Sequence, residues 1–337
     1  MNTRDEIIDA MEGRRSELPP PAVFTSTATV SQMDSSGCSW PEANFDPQKM
    51  VGLSLEMHRR FGFASVRLPF SICVEAKVHG CELGEGKKDT PPSIMSSPYA
   101  GKGALQEVPD LMPVDEFLSS GWIASVLEAA ALLQKHDEVF KTVSIDGPFS
   151  VAEFLAGAEN MIMGLLMEPT LVDRWISSMI PYQEAYASRV TELCDNVMVI
   201  EEADTSILPP EYFEEAIGSK LPSVINRAMK SSFCSLHSCG DTISVVDQLS
   251  ALGEDLISCE ASEAPRAYAE RIHRKCRVLG SVNPVRVLMQ GTPLDVLEAA
   301  AHSVEAGFDL IGPECGVSPL TSDENLMMLA HYRERLR

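Results

Sequence analysis

An α/β barrel of the (β/α)8 type is the fold this sequence predicts, and three features of the chain point to it. Short apolar runs with strand character alternate with amphipathic helical stretches from Lys141 onward. About eight such runs can be counted, and no Gly-x-Gly-x-x-Gly turn favours the alternative, an open doubly wound sheet. With 337 residues and 45% hydrophobic content the chain can bury one large core, so residues 1–337 are read as a single barrel domain.

The elements follow in order. An N-terminal extension runs to the proline break Pro19–Pro21, after which Ala22–Thr25 has the composition of a first strand. A helix from about Asp46 to Arg60 carries Met50, Leu53, Leu55 and Met57, Gly62 stops it, and Ala64–Leu68 reads as strand two. From Glu82 to Pro113 the composition shifts to Gly, Lys, Pro and Ser, a long insertion of the kind that forms lids or binding loops. Helical spacing resumes over Gly121–Gln134 and leads into strand three, Lys141–Asp146. Phe149–Met167 and Val172–Leu193 carry Ala, Met and Leu at helical spacing, where methionine serves as core filler.

Strand four is Asn196–Ile200, followed by the acidic cluster Glu201, Glu202 and Asp204. Strand five is Ser231–Leu236. The positions Val245, Leu249 and Leu252 mark an amphipathic helix ended by Gly253, and strand six is Asp255–Cys259. Strand seven is Arg277–Val282. Thr292–Asp295 reads as a capping box with proline at the first helical position, and Gly307 stands just past that helix. Strand eight is Asp309–Pro313. A second capping box, Thr321–Glu324, opens a last helix whose basic end, Arg333 to Arg337, complements its dipole.

Composition narrows the function. The formal net charge of −22 repels phosphate backbones and anionic lipid, so neither nucleic acid nor membrane is an expected partner. No apolar run reaches the ~18–20 residues of a membrane span, and Met1–Ile8 lacks the pattern of a signal peptide, which implies a cytoplasmic protein. Nine scattered cysteines then read as buried thiols plus a metal site rather than disulfides.

The clearest chemistry lies in Ser231–Asp241, where strand five ends in His237 and Cys239. In an extended chain residues two apart face the same side, so an imidazole nitrogen and a thiolate sulfur can converge on one ion. Catalytic zinc needs a third protein ligand. Cys315, which ends the apolar run Asp309–Gly316, supplies it, and Glu260 at the end of strand six is the first choice for a fourth, with Glu263 and Glu314 competing. In a barrel all these strand ends open on one mouth. Zinc held by two thiolates and one imidazole activates water poorly but holds an incoming thiol well, lowering its pKa until it is a thiolate. A carboxylate fourth ligand can give way to that thiol.

The motifs Leu236–Gly240, Gly280–Pro284, Asn283 to Pro293 and Cys315–Gly316 resemble the methylcobalamin:coenzyme M methyltransferases of the uroporphyrinogen decarboxylase superfamily, as do Pro21–Thr25, Gln32-Met33, Trp40–Ala43, Arg67–Phe70 and Gly147–Phe149. The resemblance implies a barrel with zinc held at its mouth by His237, Cys239, Cys315 and an acidic fourth ligand placed at Glu260. It also implies that coenzyme M thiolate attacks the methyl group on Co(III) of a separate methylated corrinoid protein, in methylotrophic methanogenesis, with no corrinoid permanently bound. Arg67, Asp204 and Asn283 are the expected contacts to the small molecule, Arg67 to its sulfonate. Where relatives often show Asp-Pro after strand four, this chain has Glu201–Asp204, so Asp204 serves either the polarity of the mouth or the surroundings of the zinc ligands. Three rivals remain: a zinc methyltransferase acting on tetrahydrofolate or another thiol, a corrinoid-protein binder with a structural zinc, and a decarboxylase. The last needs basic residues to grip a polycarboxylate, and Thr25–Asn44 contains no Lys or Arg.

Overall fold

The computed structural model describes residues 3–101, 104–273 and 275–336. Its centre is a curled sheet of seven parallel strands in the order β1-β4-β5-β6-β7-β8-β9. These are β1 Ser65–Leu68, β4 Phe140–Asp146, β5 Asn196–Ile200, β6 Phe233–Ser238, β7 Leu256–Cys259, β8 Arg277–Val282 and β9 Leu310–Pro313. The two short strands β2 Glu82–Leu83 and β3 Ile94–Ser96 form a separate antiparallel hairpin. Parallel strands need crossovers, and helices supply them. The strands are Val-, Ile- and Leu-rich and buried along nearly their whole length, as both-face burial requires.

The expected first strand, Ala22–Thr25, does not form a regular strand. Pro21 and Thr27 make only isolated parallel bridges to Ile311 and Val317. Prolines at 19–21 lack the N–H groups a continuous ladder needs. The segment still touches both edges of the sheet: Ala22 N donates to the Ile311 carbonyl at 2.9 Å, and Val23 N donates to Ser65 Oγ on β1 at 2.7 Å.

Inside the curl, Phe140, Met198, Leu256, Leu279 and Leu310 pack with Ala22, Phe24 and with Ile7, Ala10 and Met11 of the helix Arg4–Met11. That helix has a Thr3/Glu6 capping box, and Arg4 is anchored on Asp195 ahead of β5. It therefore covers the amino-terminal ends of the strands and leaves the carboxyl ends open.

Several other elements depart from the sequence expectations. Asp46–Arg60 is two helices, Pro47–Ser54 and Glu56–Phe61, the second ended by Gly62 in the left-handed region. Phe149–Met167 is broken at Gly157 (φ 88°) into Pro148–Ala156 and Ala158–Met167, bent by 106°. Between Asp241 and Gly253 only Val246–Leu249 is helical. The last helix is capped by Ser322, whose Oγ accepts from Asn325 N, rather than by Thr321, and Arg337 at its end lies outside the described residues. The Thr292/Asp295 box and the Gly307 stop form as read. Among the described residues no single helix is long and apolar enough to cross a membrane.

A Cβ at Gly312 would stand 2.1 Å from the Ala22 carbonyl oxygen, a backbone atom that cannot step aside. Gly312→Ala is therefore expected to push the Pro20–Val23 segment off β9 and destabilise the fold by about 1–3 kcal/mol, read as a lowered urea midpoint.

Candidate metal centre

Register places the site. Asp146 pairs with Ile200, Ile200 with His237 and His237 with Ser258, so one row across β4, β5, β6 and β7 carries these side chains to the open end of the sheet. His237 is buried there, and its Nδ1 lies 3.1 Å from Ser258 Oγ. That contact fixes the ring and turns Nε2 outward. Two residues on, Cys239 Sγ lies 3.3 Å from His237 Nε2 and 3.3 Å from Cys315 Sγ. The three ligand atoms all fall within 4.8 Å of one another.

Each ligand is held from behind. Gly240 turns the chain after Cys239 at φ 70°, and a Cβ there would meet Asp204 Oδ2 at 2.1 Å. Glu314, fully buried, accepts from Ser262 N (2.7 Å), Ser262 Oγ (2.8 Å) and Asn283 Nδ2 (2.7 Å), tying together the loops after β7, β8 and β9 just before Cys315. Glu260 accepts from Gly240 N at 3.1 Å and its carboxylate lies beside Cys315. The sulfurs share a proton: hydrogen bonding from Cys239 pulls Cys315 down to about 4, while Cys239 is driven far up. A pair that holds one proton between two sulfurs, with an oriented imidazole against it, is a donor set suited to a soft divalent cation.

The structure sorts the expected site residues. It brings His237, Cys239 and Cys315 together and sets Glu260 against them. Glu263 is exposed and paired with Arg286, and Glu314 is spent on the loops. Asn283 is engaged at both ends of its amide, donating to Glu314 and accepting from Val285 N and Arg286 N. Asp204 accepts from Ser206 N and packs against Gly240 in the turn after Cys239. Arg67 does face the chamber.

That chamber, about 280 Å³, opens between the ligands and the end of the sheet. Arg67 and His237 are the basic side chains in its wall among the described residues, against Asp146, Glu153, Glu201 and Glu202. Arg67 is buried and reaches Ser144 Oγ, and burial lowers its pKa to about 10, with Asp146 opposing the fall. Asp146 is held well above the carboxylate range by burial and by Glu75 beside it, and burial pushes Glu75 and Glu201 up to about 7. Sequence reasoning missed Ser258, Glu75, Asp146 and Glu153. Ser258 was discoverable, since it precedes Cys259 on a strand already placed next to strand five. A second, larger cavity of about 690 Å³, lined by Trp40, Phe70, Ile72, Phe154 and Val285, adjoins the chamber and shares Ser26, Ile72, Glu153, Phe154 and Gly316 with it.

Fold and site together define an α/β barrel-type protein with one histidine and two cysteines, gathered at the carboxyl ends of its strands, that could hold a metal ion. The uroporphyrinogen decarboxylase (URO-D) family matches residues 2–336, and the chain belongs to that family. It is 29% identical over 336 residues to the methylcobamide:CoM methyltransferase MtbA of Methanosarcina acetivorans, covering 97% of this chain and 96% of that one. It is 27% identical to the methylcobamide:CoM methyltransferase MtaA of Methanosarcina barkeri, covering 98% and 97%. A solved methyltransferase from Methanosarcina mazei superposes with a TM-score of 0.90 at 25% identity, covering 100% of this chain and 99% of that one.

Removing the hydroxyl that orients His237, in Ser258→Ala, is expected to weaken zinc affinity by about 10–100-fold without unfolding the protein. Competition with a chromogenic chelator measures the first and circular dichroism the second.

Proposed function

We propose that this chain is a zinc-dependent methyltransferase that moves a methyl group from the cobalt of a methylated corrinoid protein to the thiol of coenzyme M, as a cytoplasmic enzyme of methylotrophic methanogenesis. The convergence of His237, Cys239 and Cys315 at 3.3 Å contacts beside a chamber of small-molecule size carries this reading. Methyltransferases matched over nearly the whole chain support it. The chain acts as one domain, a barrel whose N-terminal helix closes the far end and whose insertion after β1 borders the mouth.

His237, Cys239 and Cys315 would hold the metal, with Glu260 as the carboxylate that yields its place to substrate. Bound there, zinc supplies the charge that converts an incoming thiol to its thiolate. The rest is done by the chain. Ser258 holds the imidazole in the orientation that presents Nε2. Arg67, the arginine of the chamber wall, attracts the sulfonate of coenzyme M and so aims its sulfur at the ligands. Asp204 and Asn283 act through the backbone they brace. The apolar cavity next door keeps water away and receives the corrinoid face of the donor, so that sulfur and methyl carbon meet in line. A decarboxylase of a polycarboxylated tetrapyrrole finds no grip here, because Arg67 and His237 are the basic side chains of the chamber among the described residues, and four acids face them.

His237→Ala and Cys239→Ala are each expected to lose zinc and methyl transfer while the barrel stays folded. The checks are metal content, circular dichroism and the disappearance of free methylcobalamin absorbance with coenzyme M. Normal turnover by either variant without metal would remove these residues from the site.

A further inference from the structure

Of the glutamates lining the chamber, Glu153 alone has a carboxylate with no hydrogen bond among the described residues. Glu201 caps the helix Pro148–Ala156, accepting from Phe149 N (3.1 Å), Ser150 N (2.7 Å) and Ser150 Oγ (2.5 Å). Glu202 accepts from Asp204 N at 2.9 Å, and Glu75 from Asp146 N at 2.8 Å. The Glu153 carboxylate has neither a hydrogen-bond donor nor a counter-ion among the described residues, although the residue is only 8% exposed. An unpaired buried carboxylate is costly, and a hydrophobic side chain at this helix position would avoid the cost. Glu153 also occupies the one wall common to the metal chamber and the apolar cavity, next to Phe154. A thiol moving from the mouth toward Cys239 and Cys315 passes it.

We propose that Glu153 is the general base that takes the proton of the acceptor thiol as the thiol enters the chamber. The proposal rests on the methyltransferase reading and adds a catalytic residue to it. The S–H bond breaks, its electron pair stays on sulfur, and an O–H bond forms on Glu153; the proton leaves to solvent through the mouth before the next turnover. Burial raises the pKa of Glu153 to about 7, with the charges of Glu202 and Glu201 from the segment after β5 adding to the rise. Arg67 on β1, Asp146 on β4, and His237, Cys239 and Cys315 are the other ionisable groups around the same chamber. A base poised near neutrality is the one that transfers protons most effectively at working pH.

Affinity for coenzyme M across pH separates this role from a structural one. Without a base, binding of a thiol as thiolate releases a proton and strengthens by about tenfold per pH unit up to the thiol's own pKa, roughly 8.5. With Glu153 as acceptor, calorimetric affinity in the zinc-loaded wild type levels off above about pH 7. In Glu153→Gln it keeps rising, kcat/KM near neutrality falls by about 100-fold, and the rate recovers as the thiol ionises in alkaline buffer. Glu153→Asp, which keeps the carboxylate, retains the plateau. Zinc content equal to wild type shows that the variants keep the metal centre. If wild type binds and methylates coenzyme M but Glu153→Gln shows the same plateau and rate, the base assignment is wrong and the methyltransferase reading stands. If wild type neither binds nor methylates coenzyme M, both fall.

Discussion

Two sulfurs and an imidazole nitrogen are gathered at 3.3 Å contacts with a carboxylate alongside, and the sulfurs and carboxylate repel one another once ionised. As free side chains they can share a proton, and the opposite shifts of Cys239 and Cys315 reflect that compromise. A divalent cation resolves the conflict for all of them together. Much of the surrounding architecture exists to keep the groups from escaping it. The β6–β7 register brings Ser258 to His237, Glu314 clamps the loop before Cys315, and Gly240 permits the turn that points Cys239 back. Polar groups that a barrel mouth would otherwise leave to solvent are consumed in holding three donor atoms still.

The acids beneath the centre obey a related constraint. Glu201 is buried without a cation, yet two backbone N–H groups and a hydroxyl at the start of the helix Pro148–Ala156 share its charge. Gly147 makes this contact possible, since a Cβ there would lie 2.2 Å from Glu201 Oε2. Asp146 and Glu75 are pressed together where they cannot both ionise. The chamber thus combines one arginine with carboxyl groups whose protonation is set by neighbours rather than by solvent.

How much of this was legible in the chain depends on what each residue's signal refers to. Strands β4 to β9 of the main sheet announce themselves as buried apolar runs, because burial on both faces leaves no room for alternation. Ala22–Thr25 carries the same signal but lies after three prolines and enters the sheet through bridges alone. Gly157 is one small residue inside a continuous helical pattern, and only its positive φ shows that the helix turns there. His237 and Cys239 were readable because their spacing is local, and Cys315 because strand topology carries it to the same end. Glu75, Asp146 and Glu153 come from three elements with no spacing rule between them, so their meeting appears only in three dimensions. Asn283 and Asp204 were legible as candidates, but that Asn283 bonds Glu314 and two backbone N–H groups, and Asp204 a third, is a distinction no sequence position records.

An acid-lined wall has a consequence for the proposed chemistry. A methyl group carried on Co(III) transfers as a cation equivalent, so the attacking thiolate loses its negative charge and becomes a neutral thioether. Negative neighbours raise the energy of the thiolate more than that of the product, because the repulsion vanishes as the charge does. Carboxylates that would be poor companions for a bound anion therefore favour its consumption. In that proposed chemistry Arg67 would act at the far end of the substrate, away from the sulfur. A further positive charge beside the sulfur, added to that of the metal, would stabilise the charge that the reaction needs to remove, whereas at the tail it would secure binding without slowing the attack.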